Sequence, residues 1–524
     1  MPAYLTLDRL TLATPGGRPL FSDLSLTIGK EVVGLVGRNG CGKSSLLRAI
    51  LGEQALQSGA ITICGTVGVL RQLVAPGEGT VADALGIASS LARLDRIEAG
   101  SGSEADFAEA DWELPQRLND AFAAAGLASI DITRPLDSLS GGERTRIGIA
   151  GLLLEPPELL FLDEPTNNLD QDGRGAIAAL LSEWRGGALV ASHDRELLEA
   201  VDRIVSLSPT GIAIHGGGWS SWLAERDAAR ARAAAERESA DRQVREAQRA
   251  AQVGRERQAR RDRAGRDYAA SGSAPKILMG RQRERAQNSA GRGNNLADQR
   301  RQAVDASLEA AKAKIEVAIP LTMQIPPSGL ASNRLVLSFR DVCWNAGERW
   351  VIDQLSFELR GPERVAITGR NGAGKTSLFR LAAGLAVPTI GQVERPVPLA
   401  MLDQGVTLLD RNATLAENMR RLNPALLENR ARATLARFAF RNVEADKLVR
   451  DLSGGECLRA GLACVMSADP APQLLMLDEP TNHMDLESIE VIEEALCGFD
   501  GALMVISHDS SFLDAIGCHR RIRL

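Results

Sequence analysis

Two glycine-rich runs end in a lysine and a hydroxyl residue: Gly37-Arg-Asn-Gly-Cys-Gly-Lys43-Ser44 and Gly369-Arg-Asn-Gly-Ala-Gly-Lys375-Thr376. Glycines in such a run let successive backbone N–H groups curl around phosphate oxygens, and the following helix N-terminus adds its partial positive charge. The lysine then reaches the β- and γ-phosphates, and the hydroxyl is placed for Mg²⁺. Gly37, Asn39, Gly40, Cys41, Gly42, Lys43, Ser44 and Ser45 form one candidate nucleotide loop. Gly369, Asn371, Gly372, Ala373, Gly374, Lys375, Thr376 and Ser377 form the other. Each half also carries an apolar run closing on two carboxylates, Leu159-Leu-Phe-Leu-Asp163-Glu164-Pro-Thr and Leu474-Leu-Met-Leu-Asp478-Glu479-Pro-Thr. An aspartate at such a strand end binds Mg²⁺ through water; the plainer alternative is a solvated charge pair. Between loop and carboxylates stand Leu139-Ser-Gly-Gly-Glu143 and Leu452-Ser-Gly-Gly-Glu456. Ser140, Gly141, Gly142 and Ser453, Gly454, Gly455 offer N–H donors to an anion, or act as simple helix caps.

The elements that must position these groups lie around them. Val32-Val-Gly-Leu-Val36 predicts a buried strand leading into the first loop, and Ser44-Ser-Leu-Leu-Arg-Ala-Ile-Leu has helical spacing after it. The second half repeats the plan. The interval from loop to Ser-Gly-Gly-Glu is about twenty residues longer in the first half, which predicts an extra helical arm over about 82–125. From Gly216 the composition turns to Ala, Arg, Glu and Gln, predicting a helix to about Arg266 that would reach roughly 70 Å at 1.5 Å per residue. A break is expected at Asp267-Tyr-Ala-Ala-Ser-Gly-Ser-Ala-Pro275, then a returning helix to about Val317 and a proline-marked linker. The expected architecture is α/β, with P-loop domains at 1–218 and 319–524 joined by a basic helical hairpin at 219–318.

Charge is unevenly placed in this chain of 524 residues. Residues 224–317 hold 22 Lys and Arg against 14 Asp and Glu, a net of +8, whereas the whole chain carries −6. One basic segment in an acidic protein points to a polyanion-facing part; a solvated helix pair that merely spaces the halves is the alternative. Arg255, Arg257, Arg260, Arg261, Arg263, Arg266, Lys276, Arg281, Arg283 and Arg285 are the candidate RNA contacts, since guanidinium pairs with phosphate and stacks on bases. Tyr268 adds one ring. Seven scattered cysteines without a CxxC pair fit a reducing cytoplasm. There is no signal-peptide pattern and no run of 18 apolar residues, so no membrane span is expected.

Three motif kinds, in the same order twice, resemble the ATP-binding cassette ATPases, and the basic segment between the halves, opening on Gly218-Trp-Ser-Ser-Trp-Leu, resembles the soluble ABC-F subfamily. The resemblance implies ATP and Mg²⁺ as cofactors and ATP hydrolysis as the activity. Glu164 and Glu479 would polarise the attacking water, helped by His193 and His508, the switch histidines. Gln72 and Gln404 match the Q-loop and would join Ser44, Thr376, Asp163 and Asp478 around Mg²⁺. Asp170 and Asp485 match the D-loop aspartates. The signature of each cassette would close over the other's nucleotide, pairing Lys43 with Ser453 and Lys375 with Ser140 in one monomeric chain. The resemblance further implies that the linker enters the ribosomal exit site beside the P-site tRNA and rRNA, in translation regulation, rescue or antibiotic protection. A transporter's detached ATPase and a DNA-repair ATPase remain as alternatives; neither gives a role to a basic hairpin lying between cassettes.

Two departures carry expectations of their own. The aromatic that usually stacks on adenine is missing near Pro15, and Trp344 and Trp350 do not align cleanly with that place, so GTP is expected to compete with ATP. Cys41 lies beside Lys43 at a helix N-terminus, a setting expected to lower its thiol pKa, although a small residue that merely fits is the simpler reading.

Overall fold

The structure is a computed structural model that describes residues 3–270 and 323–524, apart from 15, 18, 71–78, 128–129, 168, 209–210, 324, 348 and 483. The chain forms two compact units, Met1–Ser221 with Leu321–Leu524, and Trp222–Pro320. Both cassettes belong to the first.

In cassette one, β1 (Leu5–Ala13), β2 (Pro19–Ile28) and β4 (Ser58–Ile63) make an antiparallel sheet in the order β2-β1-β4. A second sheet takes β3 (Val32–Gly37), β5 (Val67–Leu70), β6 (Leu159–Asp163), β7 (Gly187–Ala191), β8 (Arg203–Ser208) and β9 (Gly211–Gly216) in the order β5-β6-β7-β3-β8-β9. Its central strands are apolar without alternation, and β7 is buried along its whole length, as expected of a parallel sheet covered on both faces. Leu5, Leu7, Val33, Leu35, Leu46, Leu47, Phe161 and Leu189 join the two sheets and the helix Lys43–Ile50 in one core.

Cassette two repeats this with β10 (Leu335–Ala346), β11 (Arg349–Arg360) and β13 (Ile390–Glu394) in one sheet. β12 (Arg364–Thr368), β14 (Leu399–Leu402), β15 (Leu474–Asp478), β16 (Ala502–Ile506) and β17 (Arg520–Arg523) form the other, ordered β14-β15-β16-β12-β17. In both, the strand feeding the glycine loop lies next but one to the strand ending in aspartate, so loop and carboxylates emerge together at the carboxyl edge of the sheet. Open α/β sheets bind ligands at that edge.

Segment 81–124 holds the helices Val81–Ala84, Ala88–Glu98, Glu104–Ala108 and Leu114–Ala124. Arg93 pairs with Glu109 at 2.7 Å and Arg96 pairs with Asp106, binding the second of these helices to the third. Phe107 and Trp112 stay exposed, their rings 6.4 Å apart. The corresponding interval of cassette two has Leu415–Leu422 and Glu428–Arg437.

The linker helix Trp219–Ala270 runs 52 residues, roughly 78 Å at the α-helical rise. It passes the expected break at Asp267 by four residues, because Asp267-Tyr-Ala-Ala contains no helix breaker. The glycine and proline of the following stretch, and the expected returning helix, lie outside the described residues. Among the described residues no helix is long and apolar enough to cross a membrane.

Candidate nucleotide sites

Each glycine loop is built by a close approach that a side chain would block. Gly42 and Gly374 have φ of 106° and 96°. A Cβ there would lie 3.1 Å from the Phe21 ring in one case and 2.6 Å from Val351 Cγ1 in the other. Both positions combine left-handed backbone with contact, so only glycine serves. The loops deliver their lysines inward. Lys43 Nζ donates to the Gly37 carbonyl at 2.7 Å and lies 2.9 Å from His193 Nε2. Lys375 Nζ donates to the Gly369 carbonyl at 2.8 Å and lies 2.7 Å from His508 Nε2. Both lysines are buried, and desolvation lowers the Lys375 pKa.

Ser44 Oγ donates to Asp163 Oδ1 at 3.3 Å, and Thr376 Oγ1 to Asp478 Oδ2 at 3.0 Å. Burial raises the pKa of both aspartates from the ordinary value. A hydroxyl beside a carboxylate is a hard-oxygen pair of the kind that would suit Mg²⁺.

Glu164 and Glu479, one residue further on, both sit in left-handed backbone, at φ 47° and 48°. Neither is glycine, and that conformation costs of order 1 kcal/mol or more. Each is held by one strong bond: Glu164 N–H donates to the Ala191 carbonyl at 2.8 Å, and Glu479 N–H to the Ile506 carbonyl at 2.9 Å. The reversal turns both side chains back toward the lysines. Glu164 Oε1 reaches His193 Nε2 at 3.0 Å, and Glu479 Oε1 lies 3.5 Å from His508 Nε2. Lysine and glutamate therefore converge on one ring nitrogen, which accepts from the first or, when protonated, donates to the second. Burial pushes the Glu479 carboxyl up to about 7 and, with the charges of Lys375 and Arg174 adding to it, drives His508 down to about 4. In site two the imidazole is the neutral acceptor of the Lys375 proton.

The cassettes meet at their phosphate loops. Asn39 N–H donates to Asp485 Oδ2 at 2.8 Å, and Asn371 N–H to Asp170 Oδ2 at 3.5 Å. Arg38 lies 3.3 Å from Glu487, and Arg370 lies 3.7 Å from Asp172. Each loop thus faces the aspartate that caps a helix of the other cassette. Although burial opposes it, hydrogen bonds from backbone N–H groups and the charge of Arg146 keep Asp170 low. Asp485 is held low against its burial by Ser488 and the Asn39 N–H.

Ser140 and Ser453 cap helices Gly141–Leu154 and Gly454–Val465 with closed capping boxes. Their own N–H groups donate to Glu143 and Glu456, each at 2.8 Å. Gly455 is packed tightly: a Cβ would lie 2.5 Å from Ser488 Oγ. Gln404 stands in an exposed turn after β14, and Gln72 lies outside the described residues.

The Cys41 expectation is overturned. Burial raises its thiol pKa, outweighing the nearby Lys43 charge and loop N–H groups. Trp344 is packed against the cassette-two core and Trp350 is half exposed; the groups lying on the loops' last glycines are Leu20, Phe21 and Val351. On the linker helix, Arg257, Arg260, Arg261 and Arg263 are exposed, and Arg255 and Arg266 share the helix. Lys276, Arg281, Arg283 and Arg285 lie outside the described residues.

The motifs did not announce the cross-cassette ion pair in which Arg195 binds Glu493 bidentately at 2.8 and 3.0 Å. Its guanidinium also lies 5.6 Å from the Trp219 ring centre, at the root of the linker helix.

The family model described as "ABC transporter" matches residues 21–167 and 352–482. The energy-dependent translational throttle protein EttA of Haemophilus influenzae is 30% identical, with 98% of this chain and 91% of that protein aligned. EttA of Escherichia coli K12 is 31% identical over the same shares. The probable ATP-binding protein YheS of E. coli K12 is 29% identical over 95% of this chain and 75% of its own length. Among solved structures, RNase-L inhibitor superposes with a TM-score of 0.59 at 18% identity, covering 99% of this chain and 87% of that one. The archaeal ribosome recycling factor aABCE1, in complex with the ribosomal stalk protein aP1, also gives 0.59 at 18% identity, covering 98% and 86%. These last two share the tandem-cassette fold. With two complete sets of phosphate-loop, carboxylate and histidine residues, the chain belongs to the ABC-F subfamily of ATP-binding cassette proteins and is a P-loop ATPase.

Proposed function

We propose that this ATPase binds the ribosome in its ATP-closed state, at the exit site beside the P-site tRNA, and leaves when ATP is hydrolysed. It acts in the cytoplasm on translation: regulation, rescue or antibiotic protection. The observation that carries this reading is the near-full-length likeness to proteins named for throttling translation, joined to a helix with a row of exposed arginines between the cassettes. Functional division follows the sequence boundaries, with catalytic cassettes at 1–218 and 319–524, an arm at about 82–125, and an RNA-contacting linker at 219–318.

In each site the loop amides and Lys43 or Lys375 hold the β- and γ-phosphates. Ser44 with Asp163, and Thr376 with Asp478, would hold Mg²⁺, which when bound would neutralise charge on the transferred phosphoryl group. Gln72 and Gln404 join the metal side. A γ-phosphate that draws Lys43 or Lys375 away would take the lysine off the histidine Nε2, and Glu164 and Glu479 stand beside that nitrogen as the groups that orient water. Asp170, Asp485 and the signature residues Ser140–Gly142 and Ser453–Gly455 complete each site from the opposite cassette. The tryptophans of cassette two do not align with the place where an aromatic would stack on adenine, and none stands near Pro15, so base selectivity is weak and GTP competes; strict ATP preference at both sites would overturn that point.

The test is co-sedimentation with ribosomes over a salt series, using Glu164→Gln with Glu479→Gln, with and without ATP. Pelleting should require ATP, weaken with salt, and be lost when Arg257, Arg260, Arg261 and Arg263 are neutralised. No pelleting under any nucleotide would overturn the ribosomal reading and leave the ATPase intact.

A further inference from the structure

One short helix of cassette one joins His193, the other cassette and the linker. Helix Arg195–Glu199 is capped by Asp194, whose Oδ1 accepts the Leu197 N–H at 3.1 Å. The residue before the cap is His193, 2.9 Å from Lys43 Nζ and 3.0 Å from Glu164 Oε1. At the first residue of the helix, the Arg195 guanidinium donates twice to Glu493, at 2.8 and 3.0 Å, with both side chains mostly buried. Glu493 belongs to helix Leu486–Cys497 of cassette two, which begins at Asp485, the acceptor of the Asn39 N–H in the first phosphate loop. The same guanidinium stands over the buried Trp219 ring, 5.6 Å from its centre, within reach of a cation–π contact. Trp219 is the first residue of the 52-residue linker helix. At the other end of the short helix, Glu199 Oε2 accepts both the N–H and the hydroxyl of Ser220, at 2.8 and 2.9 Å. First-turn N–H groups find no partner inside their own helix, so Glu199 satisfies the linker helix from outside. Gly218 passes so close between these contacts that a Cβ there would lie 2.4 Å from the Glu199 carbonyl oxygen. The matching helix of cassette two, Ser510–Ala515, is built otherwise: Ser510 stands in the place of Arg195, and Asp514, in the place of Glu199, pairs with Arg521 at 3.2 Å.

We propose that helix Arg195–Glu199 couples cassette closure to the linker, with Arg195 as its grip on cassette two and Trp219 and Ser220 as the residues it moves. A bidentate arginine–carboxylate pair demands a set geometry, so this one tightens or breaks as the helix bearing Glu493 approaches or parts. The Trp219 ring and the Glu199 cap fasten the first turn of the linker helix at two points, and a shift of the short helix carries that turn with it. On the reading above that ATP closes the cassettes, the linker root therefore senses closure at the first phosphate loop, where Asp485 and His193 both stand. Such coupling needs a contact that differs between the open and closed states, and the Arg195–Glu493 pair is that contact.

Hydrogen–deuterium exchange read by peptide mass spectrometry tests it on the full chain carrying Glu164→Gln and Glu479→Gln, with and without ATP. ATP should slow exchange about threefold or more in the glycine loops, in the Ser-Gly-Gly-Glu segments that report closure, and in the linker root at 217–226. Adding Arg195→Gln or Trp219→Leu should leave the loop and Ser-Gly-Gly-Glu responses in place and shrink the ATP effect at 217–226 to less than about 1.5-fold. Trp219→Leu spares the ion pair and keeps the test open if Arg195→Gln does not fold. Trp219→Phe, which keeps a ring under the guanidinium, should restore the response. Strand Gly187–Ala191 reports general loosening, and the root is read relative to it. A root response that survives either variant, a phenylalanine no better than leucine, or a parent whose root ignores ATP while the Ser-Gly-Gly-Glu segments respond would each overturn the coupling. Loops protected without the Ser-Gly-Gly-Glu segments would instead overturn the closed-state reading, and unprotected loops the nucleotide sites themselves.

Discussion

The two nucleotide sites share every motif, yet their surroundings are unequal. At the first phosphate loop, Asp485 takes the Asn39 N–H at 2.8 Å; at the second, Asp170 takes the Asn371 N–H at only 3.5 Å. The difference tracks a competitor. Arg146, on the signature helix of cassette one, binds Asp170 at 3.0 Å and the Gly126 carbonyl at 3.2 Å. Its counterpart Arg459 is buried with Nε and Nη1 unpartnered and lies 5.0 Å from the Phe440 ring centre. A D-loop aspartate thus has two suitors, the arginine of its own cassette and the loop amide of the other, and the two copies favour different ones. The Arg195–Glu493 pair is one-sided as well, since the matching positions hold Ser510 and Ala178. Duplicated motifs position the reacting groups alike; unduplicated neighbours decide how tightly each site is closed.

The largest expected effect breaks the comparison outright. Glu164→Gln with Glu479→Gln should lower steady-state ATP hydrolysis by at least about a hundredfold, the range for losing a positioned general base. Each single variant then reports the other site's turnover, and unequal residual rates are the expected result. Equal rates would mean that the differing contacts have no kinetic consequence. Next in size is the pair between the cassettes. Arg195→Ala leaves Glu493 buried without its partner and should destabilise the chain by about 2 kcal/mol, somewhat below the range for a fully buried pair because both side chains retain some exposure. Ser510→Ala, at the matching place, removes only a hydrogen bond to Glu196 and should cost about 1 kcal/mol or less. Chemical denaturation of both variants measures the contrast, and similar losses would show that the one-sided pair carries no special load.

How much of this was legible beforehand follows from where each constraint lives. The loops, Asp163, Asp478 and both strand-to-helix transitions were readable because local backbone geometry dictates the residue types: only glycine fits at 42 and 374. The capping boxes were readable for the same reason, as Ser-Gly-Gly-Glu places serine and glutamate at the first helical turn. Arg195 and Glu493 stand 298 positions apart and carry no motif, so only the packed cassettes bring them together. Cys41 misled because sequence displays its charged neighbour and helix N-terminus, whereas the desolvation that dominates comes from the packed core around the loop. The linker helix covers the first four residues of the expected break, Asp267-Tyr-Ala-Ala, because polar residues and alanines tolerate helix as readily as turn.

Acidity should separate the sites further. With its pKa raised to about 7, Glu479 exchanges its proton within the physiological range, whereas His508, lowered to about 4, stays neutral throughout it. The carboxylate is the form that orients water, so the direction is a loss of rate as pH falls through 7. In the Glu164→Gln background, kcat/KM should drop about tenfold between pH 8 and pH 6. Glu479→Gln should remove that limb from the wild-type profile. A flat site-two profile over this interval would show that Glu479 is ionised well below 7 in the working enzyme.

The smallest effect concerns the one loop position where the phosphate loops differ in chemistry, Cys41 against Ala373. Thiolate is the form that alkylates. Burial holds the Cys41 thiol above its usual pKa, while Cys64 and Cys497 are exposed. At pH 7.5, iodoacetamide should therefore label Cys41 about threefold or more slowly than either of those. Raising the pH through 9 should narrow the gap, because the raised pKa means that Cys41 gains thiolate last. Saturating ATP should slow Cys41 labelling further and leave Cys64 and Cys497 unchanged, which peptide mapping by mass spectrometry resolves. If Cys41 reacts first, the loop is more open than its packing against Leu20 and Phe21 allows, and site one differs from site two in exposure as well as in its partners.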